Sequence, residues 1–130
     1  MREILFRGKR VDNDAWVEGL LIIIWGQYHI IQTNDENTAY PIILKTIGQY
    51  TGLTDKNGTK IFEGDILDFS DRSDGDGYGV VVYDTNETEF GIVYDSIYEG
   101  LGRHYHSKDI EVVGNIYDNH ELLEERNNDT

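Results

Sequence analysis

Glycines and short polar clusters break this chain at intervals of roughly eight to twelve residues, with brief runs of β-branched and aromatic side chains between them. Long amphipathic helices need an uninterrupted 3.6-residue period, and that punctuation leaves no room for one. The spacing therefore predicts an all-β fold, mainly antiparallel, with a small barrel-like or partly open sheet. At 130 residues the chain fits one domain, 1–130, and no linker divides it, although a subdivision near 48–60 is compatible with the turn signals there.

The runs place the strands. Ile4-Leu5-Phe6-Arg7 is expected to end at Gly8. Trp16 through Leu20-Leu21-Ile22-Ile23-Ile24-Trp25 is too continuous for a one-sided strand and reads as a central, buried one. Gly26-Gln27 then predicts a tight hairpin into Tyr28-His29-Ile30-Ile31-Gln32, with Gly26 at the first central position of a type II′ turn. Pro41, the sole proline, biases Tyr40 toward extended backbone. Asn57-Gly58 predicts a reversal, and Gly64-Asp65 a turn into the strand Ile66–Phe69. Gly79–Asp84 and Phe90–Asp95 form a second expected hairpin, Glu99–Gly102 a loop, and Ile110–Tyr117 a last strand. Asn119 is placed to cap a short C-terminal helix, with Leu122 and Leu123 docking it and the final residues fraying.

Composition narrows the function classes. No cysteine is present, which removes disulfides, thiolate nucleophiles and Cys-based zinc sites. With no signal peptide read at the start, this favours a reducing, cytoplasmic setting in a bacterial host. The run Leu20–Trp25 is far below the roughly 20 residues that span a bilayer, so no membrane segment is expected. The formal charge of -14 is concentrated: residues 61–130 hold eighteen acids and four bases, whereas residues 1–60 hold seven of each. Such a field repels phosphates, so direct nucleic-acid binding is not expected, and the partner it favours is a basic protein. The competing reading is a solvated acidic face that maintains solubility.

Several segments together resemble the YopX-like family of phage- and prophage-encoded proteins. They are Phe6-Arg7-Gly8-Lys9 with Asp12-Asn13, Trp16-Val17-x-Gly19, Gly48 through Gly58, Ile61-x-Glu63-Gly64-Asp65-Ile66, and Ile110 through Asn119 followed by Glu121-Leu122-Leu123. One departure is His120, where similar proteins often carry Pro as the first helical residue. The resemblance implies a β-rich fold and a viral or integrated-viral origin. It brings no agreed activity to carry over.

Candidate chemistry is thin. His104-x-His106 could put two imidazoles on one strand face with Asp109 completing a metal set, but exposed polar strand residues account for the same pattern. Asp71, Asp74 and Asp76 suggest a calcium loop, yet an EF-hand started at Asp74 fails at Tyr78 and Thr85. Glu63 and Asp65 invite an acid/base reading, while a turn role for Asp65 is more economical. No nucleophile elbow, Walker loop or dinucleotide fingerprint occurs. Trp16, Trp25, Tyr28 and Tyr50 could form a partner surface, with core packing as the default. No catalytic, cofactor or metal residue is therefore assigned. The expected function is a non-enzymatic accessory or adaptor protein that works through protein contacts and does not need a cofactor. The alternatives are an acidic DNA mimic that blocks a DNA-binding protein and a metal-dependent hydrolase. A homo-oligomer is expected from exposed sheet edges and the Leu20–Trp25 run.

Overall fold

The structure is a computed structural model, which describes residues 2–69, 78–105 and 107–123, without the side chains of Arg103 and His104. The strands are mostly antiparallel, and neither of the two sheets closes into a barrel. The chain divides into two compact units, Met1–Gly52 and Leu53–Thr130. No linker separates them: a single strand runs through the boundary, with Gly52 at φ 90° supplying a backbone angle that other residues rarely adopt.

The first unit contains β1 (Phe6–Lys9), β2 (Trp16–Ile24), β3 (Gln27–Ile31), β4 (Ala39–Pro41) and the start of β5 (Gly48–Thr54), in the order β4-β3-β2-β1-β5. Contrary to the sequence expectation, β1 passes through Gly8 instead of stopping there. A Cβ at Gly8 would sit 2.3 Å from Ile42 Cγ2, so the glycine is needed for close packing and not for a turn. The continuous apolar run also departs from expectation. Residues Trp16–Gly19 pair with β1 and Leu20–Ile24 with β3, so β2 is central only as a whole and each half has one hydrogen-bonded neighbour. Leu20 and Ile23 are accordingly exposed, while Val17, Ile30 and Ile42 form the unit's core with Phe6, Leu21, Tyr40 and Ile47 packed around them. A bridge between Arg10 and Ile42, flanked by hydrogen bonds from Ile43 N to Lys9 O and from Val11 N to Pro41 O, joins the end of β1 to the end of β4. Thr46, buried in a 3-10 turn at Leu44–Thr46, accepts the Lys9 N–H on its hydroxyl and donates to Ile43 O.

In the second unit β6 (Lys60–Phe62) follows the Asn57-Gly58 turn. The five-stranded sheet then runs β10-β9-β8-β7-β11, with β7 Asp65–Phe69, β8 Tyr78–Asp84, β9 Glu89–Tyr94, β10 Ile97–Gly100 and β11 Ile110–Asn115. Its core joins Ile61, Leu67, Phe69, Val81, Ile92, Leu101 and Ile110. The expected hairpin of β8 and β9 is present, and the last strand is shorter than expected and bulged between Val112 and Gly114. The Glu99–Gly102 segment, expected as a loop, is instead the end of β10 and the start of a short helix, α1 (Leu101–His104). Asp95 and Ser96 make the turn into β10 with φ of 49° and 66°, a type I′ signature formed without glycine. The C-terminal helical turn forms at Glu121–Leu123, but Asn119 does not cap it with its side chain. Its Oδ1 turns back to accept the Asn115 N–H at 3.0 Å.

Candidate interaction surface

The β2–β3 hairpin closes one residue earlier than its sequence suggests. Ile24 pairs with Gln27, which makes Trp25 and Gly26 the central residues, and their φ values of 51° and 77° define a type I′ turn. Gly26 suits that geometry, whereas an L-residue such as Trp25 meets a cost on the order of 1 kcal/mol in the left-handed region. The one-residue shift carries Trp25 out of the strand and onto the tip, where it is 99% exposed. An indole leaving nearly all its surface in water repays none of that strain by packing.

The paired residues on either side of the tip, 20–24 and 27–31, carry no Asp, Glu, Lys or Arg, and two of their aliphatic side chains are exposed. Ile23 is 61% exposed on the same hairpin, and Leu20 is exposed further down it. Gln27 Nε2 donates to Ile42 O at 3.2 Å and Ile42 N donates to Tyr28 O at 3.0 Å, which fixes the tip end of β3 to the segment carrying exposed Leu44. Between Glu18 and Lys45 the only charged residues are Asp35 and Glu36. Those two lie in the β3–β4 loop, at the end of β3 opposite the turn.

Of the four aromatics singled out from sequence, the other three are engaged in the fold. Tyr50 is buried and bonded through its N–H to Leu5 O at 2.8 Å, and Tyr28 is half-buried on β3. Trp16 sits under two cations: the Arg7 guanidinium lies 4.7 Å and Lys9 Nζ 5.5 Å from its ring centroid. Arg10 stacks 4.3 Å above Tyr40 and grips Asp12 with Nε at 2.9 Å and Nη2 at 2.7 Å. That hydrogen-bonded fork holds the Asp12 carboxyl below its ordinary range.

The acidic residues within the recognisable motifs serve the fold. Asp65 is buried and accepts the Phe62 N–H at 2.8 Å, which is a turn role and turns the carboxylate toward main chain. Asp55, also buried, accepts from Asn57 N and Thr59 N on Oδ1 and from Val112 N on Oδ2, all at 2.9 Å. Burial raises its carboxyl pKa, but these main-chain donors outweigh that and the net shift is downward. Asn115 Oδ1 accepts the N–H groups of Tyr117 and Asp118, and a Cβ at Gly114 would collide with Asn119.

One polar cluster had no signal in the sequence because its members come from separate elements. The Tyr94 hydroxyl donates to Glu99, Tyr98 donates to Glu89 at 2.7 Å, and Phe69 packs its ring 5.0 Å from Tyr94 and 5.4 Å from Tyr105. Burial, its hydrogen bond with Tyr94 and the charge of Glu99 all push the Tyr105 hydroxyl upward, so it stays protonated at neutral pH. It is no phenolate nucleophile there.

His106 and the loop acids Asp71, Asp74 and Asp76 lie outside the described residues, as does the His104 side chain; Asp109 ends a 3-10 turn at Ser107–Asp109. His29 Nδ1 is 2.9 Å from Gln27 O on its own strand. Among the described residues no group of three or more His, Asp or Glu could hold a metal, and no helix is long and apolar enough to cross a membrane.

These features define a small two-sheet, mostly antiparallel β protein whose recognisable sequence motifs are turn and clamp residues. The chain belongs to the YopX family, whose model, described as YopX protein, matches residues 5–124. It is also similar in fold to the crystal structure of protein EF1440 from Enterococcus faecalis, with a TM-score of 0.53 and 23% identity over 95% of this chain and 99% of that one. No curated protein matches the chain.

Proposed function

We propose that this protein is a non-catalytic accessory module of phage or prophage origin that acts through protein contacts, using the Trp25 hairpin as its anchor. One observation carries the reading: the largest side-chain type sits fully exposed at a turn position that disfavours it, within a stretch free of Asp, Glu, Lys and Arg. Local strain and lost packing at one residue are retained where they serve a contact, and Trp is the residue type most enriched among interface hot spots. The viral origin rests on the family likeness. The non-catalytic character is supported by the absence of nucleophile and phosphate-binding motifs from the sequence and by the engagement of Asp55 and Asp65 with main-chain donors.

A second contact is favoured by the excess of acids in residues 61–130, which attracts a basic partner and accelerates its encounter. The test compares wild type with Trp25→Asn as bait in lysate of a prophage-carrying host, alongside a hydrolase and nuclease screen. Bound proteins that depend on Trp25, with no turnover, are the expected result. Turnover by pure protein, or an identical capture by both baits, contradicts the proposal.

A further inference from the structure

We propose that the open edge of β2 at Leu20–Ile24 takes an added strand from a protein partner, an extended segment of uncharged, β-branched residues held by main-chain hydrogen bonds. The inference goes beyond the preceding reading, because it concerns the main chain of β2 and not the Trp25 indole.

Along an antiparallel ladder, residues that bond across it alternate with residues whose N–H and C=O groups point away. Tyr28 O is turned away from β2, where it accepts the Ile42 N–H at 3.0 Å, so Ile23, which stands opposite Tyr28, also points its main-chain groups away from β3. Leu21, two residues back on the same strand, does the same. The neighbouring strand β1 takes up this edge only as far as Gly19, opposite Phe6. Residues 2–5 do not continue that ladder, and Leu5 O instead accepts the Tyr50 N–H on the β5 side. Among the described residues no strand pairs with the outer edge of Leu20–Ile24. The N–H and C=O groups of Leu21 and Ile23 therefore face outward in a row, which is the pattern that an extended backbone completes.

Sheet edges are ordinarily blunted by charge, proline, bulges or short length. The other edges of this protein follow that rule. The strand β4 is short and ends in Pro41, β6 is short and starts with Lys60, β10 carries Glu99, and β11 carries Glu111 and is bulged between Val112 and Gly114. Leu20–Ile24 has none of these devices: it is regular, and residues 19–34 include no Asp, Glu, Lys, Arg or Pro. The side chains beside the edge define its occupant. Leu20, Ile22 and Ile24 flank it on one face and Leu21 and Ile23 on the other. A charged side chain of the added strand would lose water beside them and gain no partner, whereas β-branched ones pack well on both faces.

Amide hydrogen exchange of the full chain, read by NMR with the capped peptide acetyl-Thr-Val-Thr-Val-Thr-Val-amide as probe, tests this. In the free chain the Leu21 and Ile23 amides should exchange fast, and those of Leu20, Ile22 and Ile24, which face β3, slowly. Peptide at about 1 mM should slow Leu21 and Ile23 by about threefold, the protection that a Kd of about 0.5 mM gives. The same peptide N-methylated at every residue keeps the side chains but cannot donate, and should give no protection. Ile23→Pro removes an outward donor at a position where an edge strand tolerates proline, so it should keep slow exchange at Leu20 and Ile22 and lose the peptide. If that variant does not fold, the comparison of the two peptides on wild type decides. Unchanged exchange with the probe, or equal protection by the N-methylated peptide, overturns the proposal. Leu21 and Ile23 protected in the free chain also overturn it, and protection that grows with protein concentration would give the edge to a second copy. Trp25→Asn should bind the probe as wild type does; loss of protection there would assign the peptide to the indole and overturn the edge. Failure of the preceding reading shows elsewhere, as undiminished capture of other proteins by Trp25→Asn.

Discussion

Asp55 Oδ2 accepts the main-chain N–H of Val112 at 2.9 Å, tying a tight turn to a strand 57 residues further along the chain. The other carboxylate oxygen holds Asn57 N and Thr59 N, so one buried side chain both shapes the Asn57-Gly58 turn and fastens it to β11. Lys56 N adds a bond to Ile110 O, and Lys56 Nζ lies 3.4 Å from Glu111. The Asn-Gly pair makes the reversal, and Asp55 gives it a fixed place.

Removing that carboxylate should be among the more damaging single changes. Asp55→Ala leaves three main-chain donors to find new partners, at about 1–3 kcal/mol for a buried one. We expect a loss of roughly 3 kcal/mol in denaturant unfolding. A loss of under about 0.5 kcal/mol, typical of an inert surface site, would show that the clamp contributes little.

The same residue sets a pH dependence. Its folded-state pKa lies below its unfolded value, so its stabilisation is complete above the ordinary carboxylate range and is lost as pH falls through the folded value. Denaturant midpoints measured from neutral pH down through about pH 4 and below should fall more steeply for wild type than for Asp55→Asn. Parallel curves would assign the acid sensitivity to other carboxylates.

Gly19 is required by close approach, not by an unusual backbone angle. A Cβ there would lie 2.1 Å from Ile31 O, and main chain cannot swing aside as a flexible side chain can. Gly19→Ala should destabilise the protein by about 3 kcal/mol, at the upper end of overpacking effects. Gly102, where an added Cβ would meet nothing within 4 Å, is the control and should tolerate alanine. Thermal unfolding of the two variants decides the matter; equal midpoints would contradict it.

The acidic half makes a kinetic prediction. If residues 61–130 capture a basic partner, its association rate should fall strongly between low and physiological ionic strength. Replacing Asp71, Asp74 and Asp76 with Asn should lower it further. A rate indifferent to salt would leave those charges a solubility role.

Much of the fold could be read from residue patterns, and the failures have physical causes. Val80 to Asp84 and Phe90 to Tyr94 announced their hairpin because β-branched and aromatic residues stand on either side of a polar turn. The next turn is hidden because Asp95 and Ser96 adopt positive φ without the Gly or Asn that usually marks it, so Glu99–Gly102 reads as loop where β10 ends and α1 begins, and His104, read on a strand, closes that helix instead. The run Leu20–Trp25 signals burial by its continuity, but Leu20–Ile24 pairs with β3 alone, and Leu20 and Ile23, on opposite faces of that strand, are both exposed. Trp25 is one of four aromatics suited to a partner surface, yet its exposure depends on whether the turn centres on Trp25-Gly26 or Gly26-Gln27. One residue of register separates a strand position from the tip. Asn119 looked like a helix cap because Asn suits that position equally well; its bond to Asn115 needs the chain to turn back first.

Trp25→Asn is the most informative variant, because stability and function should move in opposite directions. Asn-Gly is the preferred type I′ pair, and a residue 99% exposed has no packing to lose, so unfolding should shift toward higher stability by up to about 1 kcal/mol. Its affinity for a purified partner captured through the hairpin tests the central claim most directly. A hot-spot residue predicts that Kd rises by roughly 30-fold with the fold intact, and an unchanged Kd in a protein at least as stable as wild type would contradict the assignment of Trp25 as the anchor.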